Sequence, residues 1–192
     1  VHEAGVEEMH RMSTEMVVPE AKPAYEWILG HPVQKVSPKR RHALLQAALL
    51  RLLSAWAHGR GEVGPEWRFR LEPPGEAIRP LVPDIAYLSY ARMGSRTDDE
   101  LEAPLLAPDA AVEIRSPDDR QAHIDHKIAV YLAAGTDVVI LVDPLTRTID
   151  TFDLNGTGRF LENDVFTHAA LPGLTFPVAQ AFAVLDRPQA SP

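Results

Sequence analysis

Five consecutive apolar residues, Val138-Val139-Ile140-Leu141-Val142, constrain the fold more than any other stretch of this chain. A strand with one wet face alternates apolar and polar residues, so this run predicts a strand over Val138–Val142 covered on both faces. The residues before it supply one cover. Ile124, Ile128, Tyr131 and Leu132 fall on one face of a helix that Gly135 stops. Ser116-Pro117-Asp118-Asp119 marks the start of that helix: serine caps, proline suits the first helical position, and an acid complements the exposed amides. A strand over Ala110–Arg115 precedes it, which makes a strand–helix–strand crossover.

The flanking segments are read the same way. Tyr25–Leu29 and Val33–Ser37 are expected as short strands around a turn at Gly30. A helix follows, with Leu45, Leu49, Leu52 and Trp56 as its apolar stripe and His42 and Gln46 together on one edge; Gly59 and Gly61 end it. Glu62–Leu71 and Leu81–Leu88 are expected as longer strands, and Arg92–Pro108 as an acidic, weakly ordered loop. Thr146–Leu154 and a hairpin around Gly156-Thr157-Gly158 add an antiparallel extension, while residues 1–22 offer only a short helix near Val6–Met12. A crossover beside antiparallel strands predicts an α/β (α+β) fold, a mixed sheet flanked by helices, in one domain over residues 1–192 with its core at 25–177.

Composition narrows the chemistry. The 192 residues include no cysteine, which excludes disulfides, thiolate zinc sites and cysteine nucleophiles. No apolar run approaches the roughly 20 residues that span a bilayer. The opening Val1-His2-Glu3-Ala4-Gly5 lacks the basic-then-apolar pattern of a secretion signal, so a cytoplasmic location is expected. The net charge of −8 counts against a broad phosphate-binding face. Between Gln34 and Arg70, however, eight basic residues meet only Glu62 and Glu66. That is either a solvated helix face or a local basic patch for transient nucleic-acid contact.

The residues with most chemical promise are Asp84, Glu113 and Lys127. Pro83 cannot donate to a ladder, so Asp84 begins or edges its strand. Alternation puts Ala110, Val112 and Ile114 on the core side and Ala111, Glu113 and Arg115 on the other. Glu113 therefore sits near the end of a mostly buried strand, where a charge needs a partner or a metal. Lys127 lies on the flank of the following helix, with Arg120, and can reach back over that strand end. Taken singly, each has a plainer reading: a turn aspartate, a surface glutamate and a snorkelling lysine. His123, Asp125 and His126 are a fragment of a zinc pattern without a third ligand. No phosphate loop, nucleophile elbow or dinucleotide fingerprint is present.

The order and spacing of several segments resemble the PD-(D/E)XK nuclease superfamily, and more closely its Uma-type branch of restriction endonucleases. These are Tyr25-Glu26-Trp27-Ile28-Leu29-Gly30, Ser37-Pro38 with Arg41-His42, Val82-Pro83-Asp84-Ile85, Ala111 through Pro117, Lys127 with Tyr131-Leu132-Ala133-Ala134-Gly135, and Leu141-Val142-Asp143-Pro144. The resemblance implies a restriction-endonuclease-like fold and metal-dependent hydrolysis of DNA phosphodiester bonds, with Mg2+ or Mn2+ as the cofactor. It makes Asp84 and Glu113 the metal carboxylates, and the oxygen preference of a hard cation adds the carbonyl of Ile114 as a further ligand. Lys127 becomes the catalytic lysine moved from strand to helix, and Glu26 and His42 polar residues near the site. The chain departs from the family at Gly30-His31, where Gly-Glu is usual, and at Arg115, which stands where the standard motif has lysine. Arginine can neutralise phosphate but cannot act as a base. An inactive nucleic-acid-binding or regulatory module on the same fold is the alternative that Arg115 raises. Symmetric cleavage of DNA would favour a homodimer, and Tyr87, Tyr90 and the 92–108 loop are expected to line the cleft.

Overall fold

A computed structural model of the chain describes residues 14–186; the expected helix near Val6–Met12 lies outside them. Strands β1 (Tyr25–Ile28) and β2 (His31–Gln34) form a hairpin. Helix α1 (Arg40–Ala57) follows, then β3 (Gly61–Pro65), β4 (Phe69–Leu71), β5 (Arg79–Leu81) and β6 (Ile85–Ser89). Two short helices, α2 (Tyr90–Met93) and α3 (Asp98–Glu102), lead to β7 (Ala110–Ile114), α4 (Gln121–Ala133) and β8 (Val138–Asp143). The chain continues through β9 (Thr148–Asp153), β10 (Gly156–Phe160), β11 (Val165–Thr167), β12 (Thr175–Pro177) and α5 (Val178–Phe182).

The main sheet has the order β10-β9-β8-β7-β6-β3. Its single parallel pair is β7–β8, joined by the α4 crossover, and every other neighbour is antiparallel. This is the mixed sheet that the apolar run and the crossover predict. Val138, Ile140 and Val142 pack with Ala110, Val112 and Ile114 against Leu45, Leu49 and Leu53 of α1 and Phe182 of α5. Val139, Leu141 and Ala111 meet Ile124, Ile128 and Tyr131 of α4 on the opposite face. Both faces of β7 are thus core, and Glu113 emerges on the α4 side. Around α1 the buried stripe is Leu45, Leu49, Leu53 and Ala57, with Leu52 and Trp56 only partly covered. No helix among the described residues is long and apolar enough to cross a membrane.

Four local expectations need correcting. The two longer strands each break, at Glu66, whose φ is +52°, and at Val82-Pro83-Asp84. Beyond those points the chain leaves the main sheet to form the separate β4–β5 ladder. Helix α4 begins at Gln121 rather than after Ser116, because the Asp119 carboxylate turns back to accept the Ser116 N–H at 2.7 Å and closes a turn. The 92–108 segment carries helical order: Thr97 and Glu100 make a reciprocal capping box that starts α3. Of the residues expected at the cleft, only Glu102 and Ala103 of that segment line it, and neither Tyr87 nor Tyr90 does.

The β1–β2 turn places Leu29 and Gly30 at φ +48° and +85°. Both positions of a two-residue hairpin turn of this type need positive φ, which suits Asn-Gly. For leucine that conformation costs about 1–2 kcal/mol, and half of Leu29 is exposed, so little burial offsets it. Leu29→Asn is expected to stabilise the protein by about 1 kcal/mol, read as a higher urea midpoint. A lower midpoint would mean that the Leu29 side chain makes a contact worth more than the strain.

Candidate active site

Buried polar side chains are few, and they cluster. Of the six buried polar or charged residues among those described, Glu26, His42, Asp84 and Lys127 lie in one cleft of about 1490 Å³. The cleft is walled by the β1–β2 hairpin, the start of α1, the bend at Glu66, the ends of β6 and β7, and the start of α4. The strand break positions the key pair. Ile85 stands opposite Val112 in the β6–β7 register, so one further step sets Asp84 against Glu113.

Asp84 is held from three sides. Its Oδ2 accepts the Ile114 main-chain N–H at 2.7 Å and His42 Nε2 at 3.0 Å, while Oδ1 accepts Lys35 Nζ at 2.8 Å. Burial alone would raise its pKa, but the Lys35 charge and the His42 hydrogen bond outweigh burial and hold Asp84 well below the usual carboxylate range. The same carboxylate reverses the effect of burial on His42, whose pKa is raised. His42 Nδ1 is buried and has no partner among the described residues.

Glu113 lies in a different balance. Lys127 Nζ is 2.7 Å from its carboxylate, and the Tyr131 hydroxyl donates to Oε1 at 3.0 Å. Burial pushes the acid up, Lys127 pulls it down, and the neighbouring Asp84 and Glu26 charges push it up again, to about 7. Lys127 is in turn gripped by Glu26 at 2.9 Å. Burial is the largest influence on Lys127 and lowers its pKa, yet Glu113 and Glu26 together raise it, so the ammonium stays charged. Glu26 also accepts the Val82 N–H at 2.8 Å, tying the hairpin to the strand break that carries Asp84.

All of Asp84, Glu113, Lys127, Glu26 and His42 therefore converge. Ile114 joins them through its N–H, at Asp84. Arg115 borders the same cleft but turns aside, with Nε 3.3 Å from Asp143 and Nη1 donating to Gln121 at 2.9 Å. The ammonium at Glu113 is that of Lys127. His123, Asp125 and His126 do not assemble, and among the described residues no three His, Asp or Glu side chains form a ligand cluster. Sequence reasoning missed Lys35, Gln46 and Glu66 as site residues. Lys35 also donates to the Val82 carbonyl at 2.9 Å and pairs with Glu66 at 3.0 Å, while Gln46 donates to the Asp84 carbonyl at 2.8 Å.

The donor set fits a hard divalent cation. Asp84 and Glu113 present carboxylate oxygens at adjoining strand ends, and magnesium commonly takes one or two carboxylates plus water and phosphate. Burial and the Asp84 and Glu26 charges raise the pKa of Glu113, and a cation beside it would favour its ionised form. Lys22, Arg68, Arg115 and Arg120 line the surrounding cleft together with Glu20, Glu66, Glu102, Asp118 and Asp119, so its wall carries both signs of charge.

The model of the Uma2 family, described as "Putative restriction endonuclease", matches residues 6–184. Among solved structures, the chain is similar to one from Anabaena variabilis ATCC 29413, described as "a putative nuclease belonging to DUF820". That pair shares 26% identity over 88% of this chain and 94% of the other, with a TM-score of 0.77. No curated protein matches the chain.

Proposed function

The chain belongs to the Uma2 restriction endonuclease family, and on that premise we propose that it is a metal-dependent endonuclease hydrolysing DNA phosphodiester bonds in the Asp84–Glu113 cleft. The observation that carries this reading is the buried Asp84–Glu113 pair with the Lys127 ammonium 2.7 Å from Glu113, at the floor of a cleft lined by charges of both signs. Magnesium, or manganese in its place, would be held by Asp84 and Glu113, and when bound it supplies charge for the phosphate and a water of lowered pKa.

The protein's own groups do the rest. His42 and the Ile114 N–H fix the position of the Asp84 carboxylate through its Oδ2. Tyr131 orients Glu113 in the same way. Lys127 lies between Glu26 and Glu113, which raise its pKa, and this suits it to orient the attacking water or neutralise phosphate. A double-strand cut would bring two copies together about a two-fold axis.

A second reading has its own support. Lys35 and Lys127 already neutralise the carboxylates, as a module that binds nucleic acid without cutting it would require. The pH dependence separates the two. A cation at Glu113 must displace a proton held with a pKa of about 7. At a fixed, subsaturating magnesium concentration, plasmid nicking is expected to rise from pH 6 to pH 8, by up to roughly tenfold per unit below pH 7. Folded protein that neither nicks nor binds Mg2+ or Mn2+ at pH 8 would overturn the endonuclease reading in favour of the binding module.

A further inference from the structure

Lys35 has no part in the mechanism above, yet it is tied to Asp84. It sits just past the end of β2, where its N–H donates to the Ala24 carbonyl at 2.9 Å and so prolongs the hairpin pairing. Its side chain is largely covered, and Nζ meets Val82 O, Asp84 Oδ1 and Glu66 Oε2, all within 3.0 Å. The two lysines of the site are held differently. Lys127 lies between two buried carboxylates, Glu26 and Glu113, so it keeps a partner if either is taken. Lys35 has one buried carboxylate, Asp84, because Glu66 is half-exposed and a weak partner. Asp84 keeps His42 and the Ile114 N–H on its other oxygen. A cation arriving at Asp84 would compete with Lys35 there and leave its ammonium with the half-exposed Glu66 and the Val82 carbonyl.

We propose that Lys35 is a resident counter-ion of the metal site, occupying Asp84 in the metal-free protein and transferring to a substrate phosphate oxygen when the divalent cation claims that carboxylate. This rests on the endonuclease reading and adds a substrate-contacting residue to it. In the metal-free state the ammonium keeps Asp84 ionised and in place, so the ligand is formed before the ion arrives. In the loaded state the same charge is released to the substrate. Metal loading and phosphate capture are then coupled through one side chain: each makes the other more favourable.

Lys35→Met and the gentler Lys35→Gln test this, since Gln keeps a donor for Val82 O and Asp84 while removing the charge. Magnesium affinity of the DNA-free protein, measured by calorimetry, is expected to rise roughly tenfold in both variants, because a competing cation is gone. DNA binding is followed across a salt series with Ca2+ in place of Mg2+, a hard cation that the same carboxylates would hold, on DNA verified to stay uncut. There the log–log salt slope is expected to fall by about one when Lys35 is replaced, as one phosphate contact is lost. Cleavage by the single variants should drop despite the tighter metal. A lysine that only braces the fold would weaken magnesium binding and leave the salt slope unchanged, and that result overturns the proposal. If wild type itself neither binds magnesium nor nicks, the endonuclease reading fails first. If wild type does both and the Lys35 variants keep the metal affinity and the salt slope, this inference alone fails.

Discussion

Glu113→Gln is expected to abolish plasmid nicking, by about a thousandfold or more, while leaving the protein folded. Glutamine keeps the size of the side chain and can still accept from Tyr131, but it offers no anionic oxygen to a divalent cation. The loss belongs to an interaction made at the reacting centre, for which factors of roughly 10² to 10³ per electrostatic group are usual, and loss of the metal adds to that. The stability effect should run the other way with pH. Glu113 binds its proton more tightly in the folded protein, at about 7 against the ordinary 4.5. The wild type therefore loses stability as pH rises through that window, and the glutamine variant does not. The stability difference should move in favour of the variant by up to about 3 kcal/mol between pH 5 and pH 8. Denaturant midpoints at several pH values check this. A constant difference would show that Lys127 already satisfies the Glu113 charge, and nicking that survives the substitution would place the chemistry elsewhere.

Asp84→Ala carries the second large effect, on folding as well as activity. It strips the acceptor from Lys35, His42 and the Ile114 N–H at once. Removing one partner of a buried ion pair costs about 3–5 kcal/mol, because the remaining charge is left uncompensated. Asp84 is depressed in the folded state, so its contribution is present above the unfolded value near 3.8 and is lost as pH falls below that. The deficit of the alanine variant should therefore be full at neutral pH and shrink in acid. A deficit below about 1 kcal/mol at pH 7 would mean that the cleft is wet enough to solvate Lys35.

How much was legible varied with the range of the interactions involved. The Val138–Val142 run and the α4 stripe specify β8, the crossover and both sheet faces, because burial on two faces writes itself into consecutive residues. Asp84, Glu113 and Lys127 were readable from residue type and position relative to those elements. The breaks at Glu66 and Val82–Asp84 were not, since the strands end where the chain changes sheets, and nothing local in Glu62–Leu71 announces it. The start of α4 was misread because Ser116-Pro117 is a genuine cap signature, and the Asp119 carboxylate uses the Ser116 N–H for a turn instead. The Thr97-x-x-Glu100 box was visible in the sequence and obscured by the acidity around it. Lys35 looked like one more charge in a basic stretch. Its partners are 47 and 49 positions away. The available signal was alternation, which puts Lys35 on the same side of the hairpin strand as half-buried Val33, with exposed Gln34 on the other.

Glu26 and Lys127, in contact across the floor of the cleft, are 101 positions apart in the chain. A ribosome releases them several seconds apart at ordinary rates of roughly 5–20 residues per second. Until α4 has emerged and docked, Glu26 and Glu113 have no Lys127 ammonium between them. On the endonuclease reading proposed above, the protein is expected to be inert while it is being made and to gain activity only when α4 docks.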